Sequence, residues 1–203
     1  MSAGSTDGPA RGRGATGNPA GRFETTTRET VHDEWSESTP PLRQVPTRIV
    51  VEHARSIIAR NESPDVPFEQ SVNPYQGCEH GCVYCYARPS HAYRNLSPGI
   101  DFETRIFAKS NAAELLRTEL SGRHYRCSPI ALGANTDPYQ PTERQQRITR
   151  AILEVLVECR HPFTITTKGA LIERDLDLIA PAAAQRLARV FVSVPQLDHE
   201  LAR

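Results

Sequence analysis

From residue 46 onward, short apolar runs suited to extended chain alternate with longer stretches whose apolar residues recur at helical spacing. That alternation restricts the fold more than any other feature. Arg48-Ile49-Val50-Val51 reads as a strand, and Ala54, Ile57 and Ile58 then recur as on a helix until Asn61-Glu62-Ser63-Pro64 interrupts them. Residues 68–75 are extended again. Asn111 with Glu114 predicts a capping pair that opens a helix through Leu115, Leu116 and Leu120 and closes at Gly122. Residues 128–133 read as a buried strand and Asn135-Thr136-Asp137-Pro138 as its turn. Between 143 and 159, Ile148, Ile152, Val155, Leu156 and Cys159 share one helical face, with Arg144, Arg147 and Glu154 facing away. A strand at 163–166, a helix at 173–187 with Leu176, Ile179 and Leu187, and a strand at 189–194 complete the pattern. The order β-α-β-α-β-α-β predicts an α/β fold with a parallel sheet, either doubly wound or a barrel. In both, ligands bind beyond the carboxyl ends of the strands.

The unusual polar clusters fall at those ends: a cysteine loop after the second strand, Asn135-Thr136-Asp137, Thr167-Lys168, and the segment after Ser193. The loop runs Cys78-Glu79-His80-Gly81-Cys82-Val83-Tyr84-Cys85, a C-x3-C-x2-C spacing, with Gly77 and Gly81 allowing a tight wrap. A 4Fe-4S cluster usually takes four cysteines. Three would leave one iron open to a chelating ligand, such as the amine and carboxylate of S-adenosylmethionine (SAM). One-electron reduction from the cluster could then cleave the sulfonium. The same thiols, joined by His80, His91 or Cys127, would instead suit a structural zinc site. Cys127 and Cys159 read as packed thiols. Asn135 to Pro138 also suits a plain turn with an Asx hydrogen bond, and Lys168 a solvated helix-start residue.

Cys78, Cys82 and Cys85, with Tyr84 just before the last, resemble the signature of the radical SAM superfamily. The surrounding SVNPYQGCEHGCVYCYARP, together with GANTDPYQPTE at 133–143 and TITTKGALIERDLDLI at 164–179, resembles more narrowly its spore photoproduct lyase-like branch, the DNA repair photolyase-related proteins. The resemblance covers residues 46–203. It implies a lyase-like radical enzyme on a partial TIM-type (β/α) barrel, of whose six strands about four are expected here. It further implies that Cys78, Cys82 and Cys85 ligate a 4Fe-4S cluster and that Tyr84 lies close to the adenine of SAM. By the same likeness, Asn135-Thr136-Asp137 would contact the methionyl amino group, Lys168 would pair with the SAM carboxylate, and Ser193 would approach the ribose. A one-electron donor such as flavodoxin or ferredoxin is implied as partner. A nucleic-acid lesion is the substrate class the likeness suggests, with RNA, peptide or metabolite left open. The hydrogen donor is expected beyond Arg203, in a C-terminal part that a truncated chain would lack, so no catalytic acid, base or donor is named. Pro195-Gln196 stands where relatives tend to carry small hydroxyl residues.

Composition sets the remaining bounds. Formal net charge is zero and Lys109 and Lys168 are the only lysines, so no global field draws the chain to nucleic acid. Arg144, Arg147 and Arg150 could form a basic helix face, without an aromatic stacking platform beside them. No apolar run of about 18 residues is present, and no signal-peptide pattern opens the chain; with clustered thiols this predicts a reducing, cytoplasmic setting. Residues 1–45, rich in Gly, Pro, Ser, Thr and Arg, read as a disordered extension, its RGRG run a solvated tail and Trp35 an isolated anchor candidate, ahead of a core domain at 46–203. Two readings outside the active enzyme remain: a zinc-stabilised nucleic-acid-binding module, and a fragment that binds a cluster without turning over.

Overall fold

The computed structural model describes residues 13–23 and 45–197. Its strands are β1 (Arg48–Glu52), β2 (Ile58–Arg60), β3 (Gln70–Val72), β4 (Tyr75–Gln76), β5 (Arg105–Lys109), β6 (Ile130–Leu132), β7 (Phe163–Thr167) and β8 (Ala188–Val192). The helices are α1 (Ile100–Thr104), α2 (Ala112–Leu120), α3 (Glu143–Gln146), α4 (Ile148–Glu158) and α5 (Leu176–Ala184), with 3-10 segments at Arg88–Arg94 and Ala170–Asp175. The strands form two sheets, ordered β1-β5-β4 and β2-β3-β6-β7-β8. The chain is therefore α/β, and its larger sheet is mixed: β3, β6, β7 and β8 run parallel and β2 pairs antiparallel with β3.

Two compact units divide the chain. One comprises residues 1–50 and 76–106, the other 51–75 and 107–203. The second holds the larger sheet. Its register aligns Val72, Leu132, Ile165 and Val190 across four strands, and the first three of these are buried. α4 packs against α2 and α5, and α5 against β8. Leu116, Ile152, Leu153 and Leu156 are fully buried there, so the predicted 3.6-residue periodicity is what seats these helices.

Three expectations fail for stated reasons. The helix expected around Ala54, Ile57 and Ile58 is absent, and β2 stands in part of its place. The Ile57 and Ile58 amides donate to the Glu119 carboxylate at 2.7 and 3.1 Å, and a helix would have needed those donors internally. The single helix expected over 143–159 breaks at Arg147, which sits at φ 53° between α3 and α4. The buried Glu143 carboxylate accepts the Thr149 and Arg150 amides at 3.0 and 3.3 Å. It thereby caps the start of α4 from outside the helix. Asn111 precedes α2 as expected, yet its side chain makes no cap; it exchanges hydrogen bonds with the Ala54 backbone at 2.9 and 3.0 Å.

A buried ionic network follows from Glu143. Arg174 bridges Glu143 and Asp175, both 2.7 Å away, and Arg150 reaches Asp175 at 2.9 Å and Asp177 at 2.8 Å. Arg150 is thus committed to carboxylates, not offered as part of a basic face. Burial alone would raise the Asp175 pKa, but hydrogen bonds from Arg174 and Arg150 outweigh it and hold the carboxyl below its ordinary range. The folded state then binds fewer protons than the unfolded chain at acid pH. The resulting stabilisation is complete above the ordinary carboxylate pKa and fades as pH falls towards the lowered folded value. Asp175→Asn should cost roughly 1–3 kcal/mol at neutral pH by removing a charged acceptor that Arg150, Arg174 and Tyr139 share. In urea unfolding, that gap from the wild type should narrow by about pH 3; a gap independent of pH would contradict the assignment.

Candidate functional site

The cysteine loop lies within the first unit. Gly77 and Gly81 hold φ of 84° and 62°, and a Cβ on Gly77 would come within 2.8 Å of the Arg105 carbonyl. Only glycine satisfies both the left-handed backbone and that approach. The Cys78 amide donates to the Phe102 carbonyl at 2.9 Å, and Cys85 N to Cys82 O at 3.2 Å. Cys78 packs with Ala87 and Phe102, with Cys85 against that cluster. Val83, Tyr84 and Tyr86 are exposed beside the thiols, which leaves Tyr84 on an open surface.

Beneath the loop lies a feature that sequence reasoning missed. Glu103 is fully buried. Its carboxylate accepts the amides of Gly14 and Ala15 at 3.0 and 2.8 Å, and pairs with Arg88 at 2.5 Å. Arg88 also donates to the carbonyls of Cys82, Pro98 and Gly99. Arg13 donates to Glu103 O, Val45 O and Thr47 Oγ1. Residues 13–23, placed by composition in a disordered extension, are therefore hydrogen-bonded to α1 and the residues just before it, in the unit that carries the cysteines. Ile100 N reaches Gly17 O and Ser97 Oγ reaches Pro19 O at 2.6 Å. Trp35 and the rest of that extension lie outside the described residues.

All five cysteines are thiols. Among the described residues, no three His, Cys, Asp or Glu side chains are arranged to hold a metal ion. Donor type and spacing nevertheless suit an iron-sulfur cluster. His91, weighed as a zinc ligand, instead bonds the Arg105 carbonyl through Nε2 at 3.0 Å. Cys127 and Cys159, expected to be packed, are exposed.

The remaining predicted residues lie in the second unit, at the carboxyl ends of β6, β7 and β8, and Asp137 brings several of them together. Its Oδ1 accepts the Tyr139 amide at 2.8 Å and the Thr167 hydroxyl at 2.5 Å, while Oδ2 accepts the Lys168 amide at 2.9 Å. The Asx turn weighed for this segment is present and is also a bridge between neighbouring strands. Ser193 N donates to Thr167 O at 2.8 Å, and the Ser193 residue is exposed. Asn135 N donates to Asn73 Oδ1 at 3.0 Å. Thr136 is buried and its hydroxyl donates to Tyr75 O at 2.9 Å. Asn73 was not singled out by sequence reasoning, and Thr167 was named only with Lys168 as a polar pair at a strand end. Thr167 had a signal, since it directly precedes Lys168 at a strand end, whereas Asn73 and Glu103 had none.

No protein-family profile matches the chain, and no solved structure matches it. An uncharacterized protein of Mycobacterium tuberculosis and one of Mycobacterium bovis are each 45% identical over 148 residues, covering 71% of this chain and 44% of the relative. An uncharacterized protein of Methanocaldococcus jannaschii is 32% identical over 108 residues, 53% of this chain and 38% of that protein. The chain spans less than half the length of these relatives.

Glu103→Gln should release residues 13–15, because one neutral acceptor replaces a charged pair of oxygens. Hydrogen exchange at the Gly14 and Ala15 amides should speed up about tenfold or more; unchanged exchange would show that the carboxylate does not hold them. Asp137→Ala removes the shared acceptor of Tyr139, Thr167 and Lys168, and should cost roughly 2–4 kcal/mol in urea unfolding. A loss below about 1 kcal/mol would mean the bridge is replaced by solvent.

Proposed function

We propose that this chain is the cluster- and SAM-binding portion of a radical SAM enzyme of the spore photoproduct lyase-like kind, built as part of a (β/α) barrel. The observation that carries the proposal is the placement of Cys78, Cys82 and Cys85, as thiols at C-x3-C-x2-C spacing, in one glycine-turned loop. The successive order of β3, β6, β7 and β8 in a parallel array supports the barrel reading, since consecutive barrel strands are neighbours.

Cys78, Cys82 and Cys85 would hold a 4Fe-4S cluster, with one iron left for the amino and carboxylate groups of SAM. Bound there, the cluster would supply the electron that splits SAM into methionine and a 5′-deoxyadenosyl radical, drawing it from a flavodoxin- or ferredoxin-type donor in a reducing, cytoplasmic setting. The polypeptide's share is placement. Tyr84 offers an exposed ring for adenine. Asp137 fixes the backbone from Asp137 to Tyr139 and orients the Lys168 amide, which sets where the Lys168 side chain departs. The Ser193 amide is tied to the same strand end through Thr167. Substrate and hydrogen donor belong to the whole protein; a nucleic-acid lesion is the class the resemblance offers.

Anaerobic reconstitution with iron and sulfide, followed by low-temperature EPR of the dithionite-reduced protein with and without SAM, tests the reading. About four irons and four sulfides per chain are expected, with a signal that changes on adding SAM and with 5′-deoxyadenosine detected by chromatography. Cys82→Ala should lose most of the cluster. Tightly bound zinc without labile sulfide would overturn the proposal in favour of a structural metal site. A cluster signal indifferent to SAM would overturn the cofactor assignment.

A further inference from the structure

At the opposite, amino-terminal ends of β3, β6 and β7, four side chains form a polar cluster that the cysteine loop does not involve. Gln70 opens β3, Tyr125 and Cys127 precede β6, and His161 precedes β7. Tyr125 Oη lies 2.8 Å from Gln70 Oε1 and 2.6 Å from His161 Nε2, and Cys127 Sγ lies 3.6 Å from the same Nε2. His161 is buried, whereas Cys127 is exposed. The His161 amide is anchored to Leu156 O at 2.8 Å, which fixes the ring's origin at the end of α4.

The hydrogen bonds assign the protons. Gln70 Nε2 donates to Arg126 O at 2.9 Å, so its Oε1 faces Tyr125 as an acceptor. His161 Nδ1 lies 2.9 Å from the Pro162 carbonyl, which can only accept, so Nδ1 carries the hydrogen and Nε2 of the neutral ring is a base. Tyr125 then has one proton for two acceptors, Gln70 Oε1 and His161 Nε2. A proton on Nε2 completes the circuit: Nε2–H donates to Tyr125 Oη, Tyr125 O–H to Gln70 Oε1, and Nδ1–H to Pro162 O. Burial, against a smaller opposing pull from the Pro162 carbonyl, lowers the His161 pKa and keeps the resting imidazole neutral. The Tyr125 phenol is pushed up to about 12, by burial first and then by Cys127, and retains its proton. Besides the phenol, the Cys127 thiol is an acid in contact with Nε2, at 3.6 Å.

We propose that Cys127 and His161 form a thiol–imidazole pair that undergoes S-thiolation by low-molecular-weight disulfides. The Cys127 sulfur attacks one sulfur of the disulfide as its proton passes to His161 Nε2. The disulfide bond breaks, a mixed disulfide forms on Cys127, and the departing thiolate takes the proton back from Nε2. No further oxidant enters, because the small disulfide is itself reduced to one thiol. A cleft of about 600 Å³ lined by Arg60, Glu62, Phe68, Glu69 and Ser128 runs beside residues flanking the cluster. Its charges of both signs suit the zwitterionic ends of a peptide disulfide.

The test uses the full chain and oxidised glutathione, with adducts at each cysteine followed by peptide mass mapping. Cys159 is the internal comparator, since it is exposed too and is bonded to no imidazole among the described residues. In the native protein Cys127 should be modified on the order of tenfold or more faster than Cys159, and the two should converge in denaturant. His161→Gln should abolish the advantage. Tyr125→Phe keeps the base but removes the oxygen that receives its proton, and should lose part of it. Equal rates in the native wild type, or an advantage that survives His161→Gln in a chain folded by circular dichroism, overturns the proposal. If His161→Gln does not fold, the native-to-denatured comparison and Tyr125→Phe decide.

Discussion

The second unit is organised around one carboxylate with no access to water. Glu143 receives the Tyr75 hydroxyl, two amides at the start of α4 and the Arg174 guanidinium. A buried charge so placed is tolerable only when every lone pair is engaged. That requirement ties together the start of β4, the break before α4 and the 3-10 segment before α5. It also accounts for the left-handed Arg147 that no propensity would select. Burial raises the Tyr75 and Tyr139 hydroxyl pKa values, and the neighbouring carboxylates add to the rise, so both phenols stay protonated and donate.

Elements whose identity rests on local pattern were legible. β6 falls within its predicted run, β7 and β8 overlap theirs, and the apolar face of α4 is the one read from Ile148, Ile152, Val155 and Leu156. What escaped depends on which side chain takes a backbone donor. Ile57 and Ile58 carry a helical rhythm, yet Glu119, some sixty residues away, takes their amides. Arg147 sits in a convincing helical stretch that Glu143, from within that stretch, divides by capping α4. Satisfaction of backbone donors by these carboxylates outweighs propensities worth only tenths of a kcal/mol per residue.

The candidate site divides in the same way. The cysteine spacing and the Asn135-Thr136-Asp137 turn announce themselves because their residue types are costly anywhere else. Their supports do not. Glu103 is one acidic residue among many in the sequence, and only burial distinguishes it. Cys127 and His161 are separated by a strand turn and a whole helix, so neither marks the other along the chain.

The bond between Glu103 and the amides of residues 14 and 15 also changes where this protein can be cut. A boundary drawn by composition at residue 45 would look prudent for expression. It would strip two amide donors from the buried Glu103 carboxylate and take Phe23 from its ring contact with Tyr93. Residues 13–23 of the low-complexity opening thus complete the hydrogen bonding of a buried group in the first unit, and a stable version of that unit keeps them.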